Sequence, residues 1–306
     1  MPTWLMVAGD TVGIVFGAGV TYYQAPFGVI ATTGTEARHQ GLARGAYTFA
    51  KLFIRITANA ATADSTVRSR INGLNGNQLI TIGAGLTGLF TDDINWDSLV
   101  TGDLFGIKTV NGAGGALTVS AIGCTFQAAT NIPILGNQNQ GLGNNVNFGL
   151  TRYNSIGGGN RWTDTESRCQ YTFRAASTLS NMRIFVYANS LDGASTFRTR
   201  VNGAPGNQSI PIPAATTGAF EDAVNIDTVA IGDSVNYQMV TLGTAGSINL
   251  SSINIKSASV GRQLIASSDD GIWTPFGTTY YISPEGEPRR NSVTEANAQV
   301  PARVAF

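Results

Sequence analysis

Regularly spaced aspartates are the residues of this chain with the clearest chemical potential. They are separated by four and then five residues, and the spacing recurs 130 residues later at Asp92, Asp97 and Asp103 and at Asp222, Asp227 and Asp233. Calcium takes about six to eight oxygen ligands, several of them carboxylate. The spacing lacks the dense acidic alternation of a dedicated calcium loop, and aspartate also stabilises turns through its own backbone. Turn stabilisation is therefore the favoured interpretation, with calcium as the alternative.

Arginines alternate along one predicted strand in each copy of a repeated segment. Arg68 and Arg70 share its outward face, and Arg198 and Arg200 share the equivalent face. Paired guanidinium groups can hold a carboxylate, a sulfate or an acidic sugar. Alternating arginines more often form a solvated face or a contact with a neighbouring subunit. We therefore predict a contact surface at these four residues, with anion binding as the alternative.

Neither a catalytic set nor a transition-metal site is visible. His39 is the only histidine, and no nucleophile motif accompanies it. Cys124 and Cys169 are interpreted as two separate thiols. A glycosidase would need two carboxylates about 5 to 10 Å apart in a cleft, and no such pair stands out beyond the turns. We predict a protein that is not an enzyme and has no cofactor.

The composition limits the classes of binding partner and the cellular compartment that we expect for this protein. The 306 residues include 19 basic and 19 acidic side chains, which gives a formal net charge of +0. Nucleic-acid binders need a basic footprint, so neither nucleic acid nor a charged membrane surface is an expected partner. The first ten residues lack the basic region of a signal peptide, and no apolar run approaches the ~20 residues of a membrane span. We expect synthesis in a cytoplasm.

A long internal duplication organises the chain. Residues 65–103 return as residues 195–233 without a gap, and 20 of the 39 aligned positions are identical. Such self-similarity indicates one structural unit written twice. Apolar residues alternate with polar ones in both copies, and Asn-Gly pairs mark hairpin turns. Two equivalent bodies of antiparallel strands, 47–124 and 177–255, are therefore predicted, with a polar crossing at 88–103 and a surface loop or linker at 125–146.

The segment that precedes each body occurs three times. Thr-Tyr-Tyr at 21–23 returns at 279–281, and Thr-Glu at 35–36 returns at 165–166 and 294–295. We predict a first unit at 1–130, a second at 131–259, and a partial third repeat at 260–306. The last residues alternate in polarity, which favours a strand that contributes to assembly through Val300, Val304 and Phe306.

Many short strands with glycine-rich turns predict an all-β protein. The expected fold is two tandem antiparallel β-sandwiches, jelly-roll-like in form, that arise from the duplication, plus the partial third repeat. Pro211 and Pro213 place one strand of the second copy at a sheet edge.

The repeated body also resembles β-sandwich modules of bacteriophage virion proteins of the head-fibre, capsid-decoration or tail-associated type. The motifs that carry the resemblance are R-x-N-G, T-G-x-F-x-D, a Gly-Asp turn and a closing S-x-I strand, at Arg70, Asn72, Gly73, Thr87, Gly88, Phe90, Asp92, Gly102, Asp103, Ser120 and Ile122, and at Arg200, Asn202, Gly203, Thr217, Gly218, Phe220, Asp222, Gly232, Asp233, Ser251 and Ile253. The resemblance covers both bodies and implies a virion surface protein without enzymatic activity.

Two functions therefore stand at this point. The first is a structural virion protein that coats or decorates a capsid or tail, assembles with itself as a trimer and contacts other virion proteins. The second is a module that binds a host glycan in receptor recognition.

Overall fold

The computed structural model describes residues 3–26, 28–29, 34–127, 132–137, 145–157 and 162–259. The predicted third repeat, with Val300, Val304 and Phe306, lies outside these residues, so its strand and its contribution to assembly stay predictions. The described residues form two compact units, one that reaches Gln127 and one that starts at Ile132.

The first unit has ten strands among its described residues. They are β1 (Thr3–Phe16), β2 (Thr21–Gln24), β3 (Gly28–Val29), β4 (Gly41–Leu42), β5 (Tyr47–Asn59), β6 (Ser65–Ile71), β7 (Leu74–Ile82), β8 (Gly88–Leu99), β9 (Leu104–Val110) and β10 (Leu117–Gln127). A single 3-10 turn at Glu36–Arg38 lies between β3 and β4.

These strands form two sheets. One has the order β3-β1-β10-β5-β8, and the other has the order β2-β9-β6-β7 with β4 beside β9. The pairs are nested, because β1 pairs with β10, β2 with β9, β5 with β8 and β6 with β7, all antiparallel. Two sheets built from eight strands in this nested order form a jelly roll. Strands β7 and β8 each form one edge of their sheet, opposite the edges at β2 and β3.

The second unit repeats this arrangement. Its strands are β11 (Ile132–Asn137), β12 (Val146–Asn147), β13 (Thr151–Ser155), β14 (Tyr171–Thr172), β15 (Ser177–Asn189), β16 (Ser195–Val201), β17 (Ala204–Ile212), β18 (Gly218–Val229), β19 (Ser234–Thr241) and β20 (Ser247–Ser259). One sheet has the order β11-β20-β15-β18 with β12 beside β20, and the other has the order β13-β19-β16-β17 with β14 beside β19. The predicted all-β fold is confirmed, and the described residues contain no α-helix.

The alternating apolar residues build each core. Leu52, Ile54 and Ile56 of β5 are buried, and β15 buries Met182, Ile184 and Val186 at the equivalent positions. Phe49, Phe105 and Phe126 pack against one another in the first unit, with ring centroids 5.1 to 5.9 Å apart. The core rows predicted from the two-residue period are confirmed, because successive strand residues face opposite sides of a sheet.

Three sequence expectations were wrong in detail. The predicted polar crossing is strand β8, which looks polar because it is an edge strand with long exposed stretches. The predicted loop at 125–146 contains the end of β10 and all of β11, whose partner β20 is distant in sequence. The Asn75-Gly76 pair, predicted as a hairpin turn, lies inside β7, which begins at Leu74. The expected edge position of Pro211 and Pro213 is confirmed for Pro211, since β17 ends its sheet.

Candidate functional site

Arg70 clamps a carboxylate that the segment before the body supplies. Its Nε and one terminal nitrogen donate to the two carboxylate oxygens of Glu36 at 2.9 and 3.0 Å. The other terminal nitrogen donates to Asn75 Oδ1, and the guanidinium also donates to the Gly73 carbonyl. The Tyr23 ring centroid lies 5.9 Å away. The hydrogen bond from Arg70 to Glu36 raises the pKa of Arg70 above its ordinary value.

The second unit has the same clamp. Arg200 donates twice to Glu166 at 2.9 Å and also to the Gly203 carbonyl, and the Tyr153 ring centroid is 5.8 Å from its guanidinium carbon. A bidentate pair of this kind fixes geometry as well as charge. Arg70 and Arg200 therefore bind glutamates of their own units. The sequence instead predicts that they form a contact surface.

The repeated Asn-Gly and Gly-Asp motifs meet at one turn. Asn72 has a positive φ of 50°, and its side chain donates to Asp103 Oδ1 at 2.8 Å and accepts from the Leu104 amide at 2.9 Å. Asp103 also accepts from the Val100 amide. Asn202 and Asp233 repeat these contacts in the second unit, and the hydrogen bonds from Asn202 and the Ala230 amide lower the pKa of Asp233. In the first unit, these motifs therefore hold the hairpin turn before β7 against the loop before β9. In the second unit, they hold the turn before β17 against the loop before β19.

Asp92 and Asp97 connect β8, an edge strand of one sheet of the first unit, to β7, an edge strand of the other sheet. Asp97 accepts from the Asn77 amide at 2.7 Å, and Asp92 accepts from the Leu79 amide at 2.8 Å. Both donors are backbone groups on β7, the edge of one sheet, while both carboxylates come from β8, the edge of the other. An unpaired edge is a template for aggregation, so these carboxylates protect β7 by occupying its amides. Asp222 and Asp227 do the same for Ser209 and Asn207.

Gln78 links these edges to the interior strand β5. Its side chain is fully buried, accepts from the Leu52 amide at 2.8 Å, and donates to the Phe49 carbonyl and to Asp97. Gln208 likewise accepts from the Met182 amide and donates to Asp227. Gly76 leaves room for this network, because a Cβ there would lie 2.3 Å from Ser69 Oγ and 2.7 Å from Asp97 Oδ1.

A wide bulge interrupts β8 beside this network. Ala50 pairs with Trp96 and Leu52 pairs with Asp92, so three residues of β8 oppose only Lys51, which has a positive φ of 53°. Asp92 accepts from the Ile94 and Asn95 amides and from the Asn95 side chain. Burial alone would raise the pKa of Asp92, but these hydrogen bonds and the one from Leu79 lower it.

The bulge projects apolar side chains into solvent. Residues 93–96 and 223–226, which we call the bulge surfaces, are each four consecutive exposed residues. Ile94 is 82% exposed and Trp96 58%, while Val224 is 87% exposed and Ile226 50%. Asp222 supports the second bulge with the same hydrogen bonds, opposite Asn181. An apolar tip held in place by a buried carboxylate in both units is a candidate contact surface.

Arg68 takes no part in these networks. It lies opposite Lys108 of β9 on the outward face of the sheet, and Tyr23 lies on the other side of Lys108. In the second unit Arg198 lies opposite Gln238, whose side chain donates to the Tyr153 hydroxyl at 3.3 Å. The four arginines predicted as one surface therefore divide into two engaged clamps and two outward residues.

The remaining candidates lie apart from these networks. His39 is buried, and the thiol of Cys124 is also buried, which raises its pKa well above the ordinary value. Cys169 is half-buried and accepts a hydrogen bond from Asn236 at 3.7 Å, and neither cysteine forms a disulfide bond. Within the described ranges, no three His, Cys, Asp or Glu side chains gather as a metal site. The aspartates for which calcium was the alternative interpretation accept hydrogen bonds from protein groups in this structure.

Sequence reasoning missed the residues that complete these networks, which are Glu36, Glu166, Gln78 and Gln208, and it also missed Lys108, which lies opposite Arg68. A signal was available for two of them, because Gly-Asn-Gln is identical in both copies. The glutamates lie 34 residues before their arginines, so only the folded chain brings them together. No helix in the described part of the chain is long and apolar enough to cross a membrane.

Comparison with known proteins identifies no family. No family model matches the chain, and no curated protein sequence matches it. Among solved structures, the insecticidal delta-endotoxin Cry8Ea1 of Bacillus thuringiensis is 8% identical, with a TM-score of 0.26 over 80% of this chain and 60% of the toxin chain. A structure of the Gx strain of infectious bursal disease virus is 12% identical, with a TM-score of 0.24 over 85% and 71%. At such low similarity, function must be argued from the chain's own residues.

Proposed function

We propose that this chain is a non-enzymatic structural protein of a bacteriophage virion, made in the host cytoplasm, that coats or decorates the capsid or tail. It does so through contacts between its own copies and with other virion proteins. The virion assignment is supported by the resemblance of both bodies to phage β-sandwich modules. A trimer is the expected assembly, by analogy with virion jelly rolls.

The observation that carries the proposal is the pair of bulge surfaces. The repeated polar residues of each unit, including Arg70, Asp92, Asp97 and Asp103, have hydrogen-bond partners within that unit. Ile94 and Val224 are repeated features of a different kind, because their side chains extend into solvent while their backbone amides donate to Asp92 and Asp222. Large exposed apolar groups on rigid supports are typical of contact surfaces between proteins.

Sedimentation of the purified chain tests this proposal. We expect the wild type to form oligomers, and the double variant Ile94→Asp with Val224→Asp to associate at least about tenfold more weakly, since each substitution puts a charge into the contact. Leu242→Asp is the matched control, because Leu242 is 58% exposed but follows β19, which lies in the sheet that does not contain β18. A wild type that stays monomeric, or a double variant that assembles normally, would contradict the proposal.

Glycan binding is a second candidate function, and one observation favours it. Arg68 and Lys108 present two positive charges on the outward face of the first unit.

A further inference from the structure

Two cations lie directly opposite each other on the outer face of the first unit. Arg68 of β6 and Lys108 of β9 are register partners in an antiparallel pair. Directly opposite residues share one face, with Cβ atoms about 5 Å apart. The neighbours Val67, Ser69, Ile107 and Thr109 are fully buried, so this face points away from the core.

No ion pair joins Arg68 or Lys108 to a carboxylate among the described residues. The nearby carboxylate Glu36 is already bound by two nitrogens of Arg70. The other ion pairs described in the protein, Arg183 with Glu221 and Arg200 with Glu166, belong to the second unit. Like charges placed directly opposite destabilise a sheet, so an uncompensated pair indicates an anion supplied from outside.

The second unit has one cation, rather than two, at the equivalent pair of positions. Gln238 stands where the first unit has Lys108, and it lies between Arg198 and Tyr153. A glutamine is therefore compatible with this place in the sheet. The Nε of Arg198 is buried without a hydrogen-bond partner.

The geometry points to an acidic polysaccharide, which bears sulfate or carboxylate groups, as the ligand of the face formed by Tyr23, Arg68 and Lys108. We call this face the cationic face. Its charge complements an oxyanion, and Tyr23 places an aromatic ring next to Lys108 for contact with a sugar ring. Strands β6 and β9 have a paired strand on each side, so a peptide cannot bind here by adding a strand. Recognition must use side chains, as it does for sugars.

Binding of the full chain to three probes in about 50 mM NaCl tests this inference. Heparin supplies sulfate together with carboxylate, polygalacturonate supplies carboxylate alone, and neutral dextran supplies neither. We expect one or both acidic polysaccharides to bind, dextran not to bind, and affinity to fall as salt rises. Comparison of the two acidic probes shows whether sulfate strengthens binding beyond what carboxylate alone provides.

Variants locate the binding. Lys108→Gln copies the second unit, so it should fold with an unchanged or higher melting temperature while affinity falls about tenfold or more. Arg68→Gln should weaken binding similarly, and Gln238→Lys should add binding to the second unit. Lys51→Gln, which removes a lysine of the β8 bulge region, is the matched control and should bind like the wild type.

Three results would overturn the inference. They are a wild type that binds neither acidic polysaccharide, Lys108→Gln and Arg68→Gln variants with unchanged affinity, and tighter binding of a polyglutamate peptide than of both polysaccharides. The last would assign the face to an acidic protein. Because the bulge surfaces use different residues, failure here and failure of the assembly proposal are distinguishable.

Discussion

The most direct perturbation of the buried edge network is Gln78→Met. Methionine has a similar length and stays apolar, so the core volume changes little while both polar atoms are removed. The Leu52 amide and the Phe49 carbonyl then lose their partner, and Asp97 loses one donor. A buried polar group without a partner costs about 1–3 kcal/mol, so two backbone groups give a loss of about 3 kcal/mol.

Hydrogen exchange resolves this effect by segment. A loss of about 3 kcal/mol corresponds to roughly 100-fold faster exchange of protected amides in peptides from β5 and β7. Asn77→Ala is the control, because the Asn77 side chain makes only an exposed bond to the Trp96 carbonyl, and its exchange should stay within about threefold of the wild type. Gln208→Met should produce the same change in β15 and β17. Exchange less than tenfold faster in Gln78→Met would refute the role assigned to this glutamine.

Two further predictions concern charge. Hydrogen bonds lower the pKa of Asp92 in the folded protein, so its stabilisation is present above the ordinary aspartate pKa of about 3.9 and is lost as pH falls through the folded value. Urea unfolding between about pH 5 and pH 2 should therefore show a smaller acid loss in Asp92→Asn than in the wild type, and equal losses would contradict this. For the clamp, a double-mutant cycle with Arg70→Gln and Glu36→Gln should give a coupling of about 1 kcal/mol that shrinks in about 1 M NaCl, whereas zero coupling at low salt would contradict the bidentate pair.

The repeated strands could be predicted from the sequence, because each of them depends on residues that are close together in the chain. The alternation at Leu52, Ile54 and Ile56 and the Asn72-Gly73 turn depend on neighbouring residues, and duplication doubled the signal. The polar networks depend on contacts between residues far apart in the chain. Gln78 follows an Asn-Gly pair in the sequence, so its buried position becomes evident only when β5 is placed beside it. The residues around Lys51 do not predict its positive φ.

The candidate surfaces divide in the same way. The outward direction of Arg68 follows from strand alternation, but its opposition to Lys108 depends on the register of two strands about 40 residues apart. The exposure of Ile94 could not be predicted either. An apolar residue between aspartates on a strand would ordinarily face the core, and only the bulge turns it outward.

The virion assignment is tested most directly by the protein content of purified particles. If the proposed function is correct, particles of a phage that encodes this chain can be banded by density, and the chain can be quantified by mass spectrometry against the major capsid protein. We expect many copies per particle, in a fixed ratio, with residues 93–96 and 223–226 protected from surface labelling relative to the isolated chain. Absence of the chain from banded particles, or fewer than one copy per particle, would contradict the proposed function.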